Sequence, residues 1–273
     1  MINPIAVAIP VFLASILGEM FVSWRHGRWS RPRPVYRLPD AVTDLGCGLV
    51  SQVTGLFTSG VLLAGAYAWV EGVVPGQLPD SNLATWLVAF VILDFFYYWW
   101  HRASHRVNVL WAAHVVHHQS EDYNLAVALR QAIFTSVTSI PFYLPMAVMG
   151  FSPKVFLTCL ALNTLYQFWI HTRLVGKVGW LEAVFNTPSH HRVHHGINPR
   201  YIDRNHAGVF IVFDRWFGTF QEEVDEPVYG IVEGHPSFNA LTANFVPYGK
   251  LFRLSLAAAP VDHHHVERLS VAT

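Results

Sequence analysis

Residues 4–24, 42–70, 82–100, 132–150 and 153–171 are five mostly apolar stretches, each close to the length needed to cross a bilayer. A span takes about 20 such residues in a helix, because hydrocarbon offers no partner to an unpaired backbone N–H or C=O. The second stretch is uncharged from Leu45 to Val70, and the third is interrupted only by Asp94. The last two meet at Gly150-Phe151-Ser152-Pro153, a joint rich in helix breakers, and are expected to form an antiparallel hairpin. Composition agrees: 13% of the residues are charged, where a soluble domain has about a quarter. The first stretch lacks the basic leader and cleavage site of a signal peptide and reads as a retained helix. The expected fold is an all-α integral membrane protein with about four to five transmembrane helices.

Lys and Arg set the orientation, since short cytoplasmic connections collect them. The segment after the first stretch carries Arg25, Arg28, Arg31, Arg33 and Arg37. The connection between the second and third has Glu71 and Asp80 but neither Lys nor Arg. The first connection is thus expected in the cytoplasm and the second outside, which brings the ends near residues 101–118 and 171–195 to the cytoplasmic face. Beyond Lys177 the sequence becomes more polar, and a cytoplasmic, histidine-rich cap of short helices is expected. Phe210, Ile211, Val212, Phe213, Trp216 and Phe217 would pack it onto the bundle or lie at the lipid interface. One domain accommodates the whole: helices over 1–80, a core over 82–235 and a tail over 236–273. A net charge of zero argues against nucleic acid as a partner. Cys47 and Cys159 lie in apolar runs and read as buried core residues without a disulfide.

The histidines gather in three short patches: HRASH at 101–105, HVVHH at 114–118 and SHHRVHH at 189–195. Residues three and four apart share a helix face. His101 with His105, His114 with His117 and His118, and His191 with His194 and His195 would each turn their imidazoles to one point. Neutral imidazole ligates iron, copper and zinc. Eight such groups are too many for one tetrahedral zinc and enough for two metal ions, while spacing alone does not choose the metal. His171, which ends the fifth stretch, and His190, beside the third patch, extend the candidate set. His26, His206 and His235 lack spaced partners and are expected at the surface, and the run His263-His264-His265 is expected to have no role. Asp94 lies seven residues before His101 on nearly the same helix face. A carboxylate at that depth needs a partner, and a ligand's second ring nitrogen would provide one.

DFFYYWWHRASH, HVVHH and HHRVHH, in that order, resemble the eight-histidine signature of the fatty acid hydroxylase and sterol desaturase superfamily, over about residues 85–235. The resemblance implies a membrane enzyme with two iron ions, held by the eight clustered histidines, that uses O2 to attack a lipid C–H bond. Two longer runs, HHQSEDYNLAVALRQ at 117–131 and NTPSHHRVHHGINPRYIDRNHAGVFIVFDRWFGTF at 186–220, narrow the resemblance. They are similar to a branch that hydroxylates the ether-linked alkyl carbon of glyceryl ethers, with tetrahydropterin as electron donor. On that reading Glu121, Asp122, Tyr123 and Asn124 support the ligands or meet the substrate headgroup, with Arg130 nearby. The sequence has no flavin, haem or ferredoxin motif, so the donor is expected to be separate.

Hydroxylation and desaturation begin with the same hydrogen abstraction, and the EDYNL run favours hydroxylation through its resemblance. A metal transporter is the reading from another class; its ligands would lie near the bilayer midplane and not at helix ends. Compactness and the lack of a terminal retention signal favour a bacterial inner membrane as the compartment.

Overall fold

The computed structural model describes residues 4–27, 34–232 and 237–254. Every regular element among them is helical, and strand-like pairing is confined to two isolated bridges, Phe185 with Phe210 and Gly196 with Tyr229. His235 and the run His263-His264-His265 lie outside the described residues.

Three helical stretches are long and apolar enough to cross a bilayer: Val7–Arg25 in α1 (Pro4–Arg25), the continuous helix Leu38–Val73, and α4 (Leu83–Ser104). The second comprises α2 (Leu38–Phe57), a π-helical turn at Thr58–Leu63, and α3 (Ala64–Val73). At about 1.5 Å per residue this 36-residue helix exceeds the hydrocarbon thickness of about 30 Å. Its first turns, with the buried Asp40 and Asp44, therefore belong to the polar end of the protein. Leu49, Leu56, Leu83 and Leu87 are between 61% and 79% exposed. That much aliphatic surface is covered only by lipid, and the protein is a membrane protein.

α6 (Thr135–Val148) and α7 (Pro153–Trp169) have 14 and 17 residues, short for a full crossing. Their joint falls where the breakers predict. Gly150 has φ +86°, and a Cβ there would stand 2.6 Å from the Gly76 carbonyl, so only glycine fits. The two helices pack mainly against α3 and α4 rather than as a self-contained hairpin. The shared core includes Tyr67 stacked on Phe156 at 4.1 Å, with Leu93 and Met146 fully buried beside them.

The other end of the bundle is closed by α5 (Asn108–His118), α8 (Pro188–His194) and α9 (Val212–Trp216), while α10 (Ala240–Leu254) packs on α5 and α2. Ile211 and Phe213 are buried against Tyr98 of α4, as the packing expectation required, whereas Trp216 faces outward. The N-terminal helix is tied to this end. Glu19 of α1 accepts hydrogen bonds from the Tyr36 hydroxyl, the Thr172 hydroxyl and the Leu125 N–H. Cys47 and Cys159 are both buried and free.

Candidate metal centre

α4 and α7 end at one level, and His105 and His171 follow where the helices stop. α5 and α8 run across this level and carry the second and third patches. Nine histidines converge into two groups: His101, His105, His114, His118 and His194; and His117, His171, His191 and His195. Within each group one nitrogen per ring lies within 4.8 Å of all the others. The groups abut, with His118 stacked on His195 at a centroid separation of 4.4 Å.

The patches do not each aim at one point. His114 and His118 enter the first group while His117 enters the second; His191 and His195 enter the second while His194 enters the first. On a helix, positions i+3 and i+4 fall on opposite sides of i and are separated by about 100°. The i,i+4 pair stays together and the intervening i+3 residue serves the neighbouring group.

The ring tautomers follow from the carbonyls around them. His101 Nδ1 donates to the His206 carbonyl at 2.7 Å, His117 Nδ1 to Arg130 at 3.1 Å, His171 Nδ1 to Gln167 at 2.7 Å and His194 Nδ1 to Arg204 at 2.9 Å. A carbonyl only accepts, so these Nδ1 atoms carry the proton and each Nε2 presents a lone pair. The Nε2 atoms of His101 and His114 are 2.9 Å apart, those of His171 and His117 are 3.1 Å apart, and those of His191 and His171 are 3.0 Å apart. Nε2 of His105, His194 and His195 has no protein partner at all. Burial holds His117 and His194 neutral, with pKa values lowered to about 3, and keeps His114, His118, His191 and His195 well below the ordinary imidazole value. Crowded, neutral, lone-pair nitrogens repel one another unless a cation lies between them. Neighbouring ligands about 2.1 Å from one ion stand about 3 Å apart in octahedral geometry, the spacing found here. The residues present thus fit metal ions, one per group.

Several expected roles change with the tertiary structure. Asp94 meets no imidazole. It accepts from the Val209 and Phe210 N–H groups at 2.9 and 2.8 Å and from Asn163 at 2.7 Å, pinning the 208–210 segment to α4. Its carboxylate is thereby satisfied by backbone, and the effect on the site runs through the loop whose His206 carbonyl orients His101. His190 is buried but lies outside both groups, its ring edge-on to Phe220 at 5.4 Å, because it points away from His191 on the α8 turn. His206 is not a surface residue: it is fully buried, 5.0 Å from the His105 ring, with Nδ1 unpartnered. No spacing signal could find it, since its neighbours are brought up by the fold. His26 is exposed, as expected.

In the Glu121–Asn124 run, Tyr123 packs on the histidines, its ring 5.2 Å from that of His195 and 5.9 Å from that of His171, and the polar groups bond within the protein. Glu121 and Asp122 both accept from Arg37 at 2.8 Å. The Tyr123 hydroxyl donates to the Ile170 carbonyl and its ring stacks on Tyr229 at 4.9 Å. Asn124 donates to the Val35 carbonyl at 2.7 Å. Arg130 is fully buried and bonded to Asp40 and Asp44, so it offers nothing to a headgroup. Sequence reasoning missed Asp40, Asp44, Arg37 and Glu19. Their signal was four charges next to apolar runs, of which Arg37 and Asp40 pair locally at 3.4 Å.

Residues 86–219 match the family model described as Fatty acid hydroxylase. The chain is 44% identical over 239 residues to alkylglycerol monooxygenase of Homo sapiens, covering 87% of this chain and 52% of that protein. It is 42% identical to the alkylglycerol monooxygenase of Danio rerio, covering 90% of this chain and 54% of that one. The Xenopus tropicalis protein of the same name is 44% identical, with 82% of this chain and 49% of that protein covered. The chain spans about half the length of the curated relatives it matches. No solved structure matches it.

Proposed function

Because this chain belongs to the fatty acid hydroxylase family, we propose that it is an O2-dependent lipid hydroxylase whose target is the ether-linked alkyl carbon of an alkylglycerol. The observation that carries this reading is the pair of abutting all-imidazole groups, five nitrogens and four, at the end of membrane-embedded helices. Two iron ions held there would supply O2 activation and the oxidant for an unactivated C–H bond. His101, His105, His114, His118 and His194 would hold one ion, and His117, His171, His191 and His195 the other.

The rest of the chain's work is orientation and exclusion of water. The carbonyls of His206, Arg130, Gln167 and Arg204 fix the tautomers of His101, His117, His171 and His194, so these four need not lose a proton before binding. Tyr123 packs against His195 of the second group at 5.2 Å, with Tyr229 stacked on Tyr123. Residues 82–235 are the catalytic core, and the described helices α1, α3 and α10 pack against it. The alkylglycerol assignment draws on the names of the relatives, and tetrahydropterin enters as the external electron donor through the same branch. We place the site at the cytoplasmic face, on the side of Arg25 and Arg37. The relatives named above are animal proteins and lend a bacterial inner membrane no support.

Iron quantification combined with oxygen-dependent turnover on ether lipids, sterols and acyl lipids tests the reading. About two irons per chain and aldehyde release from an alkylglycerol support it; turnover without iron, or a desaturated product, ends it. Metal transport is disfavoured because the histidine groups sit at helix ends rather than along a midplane path.

A further inference from the structure

α9 folds back against a membrane span. Its Phe213 lies 5.6 Å from Phe95 of α4, and Phe217, just beyond α9, lies 6.2 Å from Phe95 and 4.9 Å from Trp99 between ring centroids. Phe95 and Trp99 belong to about the last three turns of the Leu83–Ser104 span. The outward side of α9 is therefore level with lipid and not with water. That side is apolar, with Trp216 72% exposed. Arg215 donates to the Glu182 carbonyl at 3.1 Å and so ties α9 to the tight helical turn Gly179–Ala183, where Trp180 is 80% exposed and Leu181 also faces outward. Leu87, Val91, Phe95 and Trp99 recur every fourth residue along α4. The first two are exposed and the last two lie against Phe217, so the patch continues the lipid-facing stripe of the span.

Cations gather where the stripe ends. Arg102 follows Trp99 by one turn, its guanidinium 5.4 Å from that ring, and donates to the Tyr98 hydroxyl at 3.0 Å and the Phe217 carbonyl at 3.5 Å. Arg204 donates to the next carbonyl, that of Gly218, at 3.2 Å. Arg215 sits over the Phe220 ring at 3.7 Å. These acceptors are neutral, and a guanidinium carries five N–H donors, so each arginine keeps its charge and further donors for an anion. The neighbouring acids are engaged elsewhere. Asp203 pairs with Arg106 at 3.2 Å. Asp214 is buried and accepts from the His206 and Ala207 N–H groups, and the Glu182 carboxylate accepts from the Ser189 hydroxyl and the Val178 N–H.

We propose that α9 and the Gly179–Ala183 turn form an interfacial anchor that binds an anionic phospholipid. The acyl chains lie against Trp216, Phe217 and Trp99, and the phosphate sits on Arg102 and Arg204. Tryptophan settles at the headgroup level because its ring is apolar and its N–H is not, and arginines just beyond a span attract anionic lipid. The occupant is lipid and not a second protein chain, because the patch is continuous with a surface that only lipid covers and its free charge has one sign. The anchor involves no proposed iron ligand and stands independently of the hydroxylase reading.

The test uses the full chain in nanodiscs, with a bimane fluorophore on Trp216→Cys. Val224→Cys, an exposed apolar position between Glu223 and Asp225, carries the same label as the aqueous comparison. Cys47 and Cys159 are buried and do not compete for label. At position 216 the fluorophore is expected to be quenched by phospholipid with a nitroxide on the upper acyl chain, and to resist aqueous iodide about fivefold more than at 224. In an equal mixture of phosphatidylglycerol and phosphatidylcholine, nitroxide on the former is expected to quench about fivefold more efficiently than on the latter. Arg102→Gln with Arg204→Gln should bring the two lipids within about twofold, and salt at about 0.5 M should shrink the preference with both arginines intact. Iodide quenching at 216 equal to that at 224 overturns the anchor. Protection from iodide and nitroxide lipid alike means that protein covers the patch, and overturns it too. Equal quenching by the two lipids, or a preference untouched by salt and by the double substitution, overturns the anionic-lipid assignment.

Discussion

Arg130 and Asp44 form an ion pair at 2.9 Å in which neither side chain reaches solvent. The guanidinium also bonds Asp40 at 3.1 Å, and the carbonyl of the same arginine receives the Nδ1 proton of His117. One residue thus joins the first turns of α2 to the orientation of a proposed iron ligand. Arg130→Met leaves the buried Asp44 without its cation and Asp40 with Arg37 at 3.4 Å, which costs about 3–5 kcal/mol. The variant is expected to show a lower unfolding midpoint by thermal scanning and to lose iron from the second group first, read as about one iron per chain.

Two histidines, His117 on the second patch and His190 on the third, separate a ligand from a bystander. His117→Ala is expected to lower iron content and abolish turnover, because it removes one of four nitrogens from its group. His190→Ala, outside both groups, is expected to keep full iron content and activity within about twofold. Metal analysis and turnover on the same preparations decide the matter; full activity in the His117 variant ends that residue's role.

Gly208 sits where Asp94 grips the chain. A Cβ there would stand 2.6 Å from Asp94 Oδ1 and 3.0 Å from Asn163 Oδ1. Gly208→Ala is expected to cost about 1–3 kcal/mol by forcing the segment off α4. The same shift moves the His206 carbonyl from His101, so iron affinity should fall alongside the unfolding midpoint, measured by competition with a chelator.

Acid acts through the buried histidines. His117 and His194 have folded-state pKa values of about 3, against about 6.5 for unfolded imidazole. Above pH 6.5 both states are neutral and the groups contribute no pH dependence. As pH falls from 6.5 towards 3, the unfolded chain takes up protons that the folded chain excludes, and stability is lost at about 1.4 kcal/mol per histidine per pH unit. Metal-free protein should therefore unfold more readily at pH 5.5 than at pH 7.5 in denaturant titrations. A flat profile across that window would contradict the burial of these rings.

The sequence by itself determined what depends on neighbours along the chain. Apolar length marked α1, the Leu38–Val73 helix and α4 as spans, because a backbone in lipid satisfies itself only locally, whereas α6 and α7 proved short for a crossing. Breakers fixed the turn at Gly150, and the i,i+4 spacing of His114 with His118 and of His191 with His195 was already legible as a shared face. What only the tertiary structure decided is which histidines meet. His117 parts from His118 and His194 from His195, because each successive residue turns about 100° and the crossing of α4, α5, α7 and α8 puts a different partner on each side. The burial of His206, the capture of Arg130 by Asp40 and Asp44, and the diversion of Asp94 to backbone have the same origin. Each depends on contacts between residues more than 80 positions apart, or on a loop folded back over a helix end, and no local pattern encodes them.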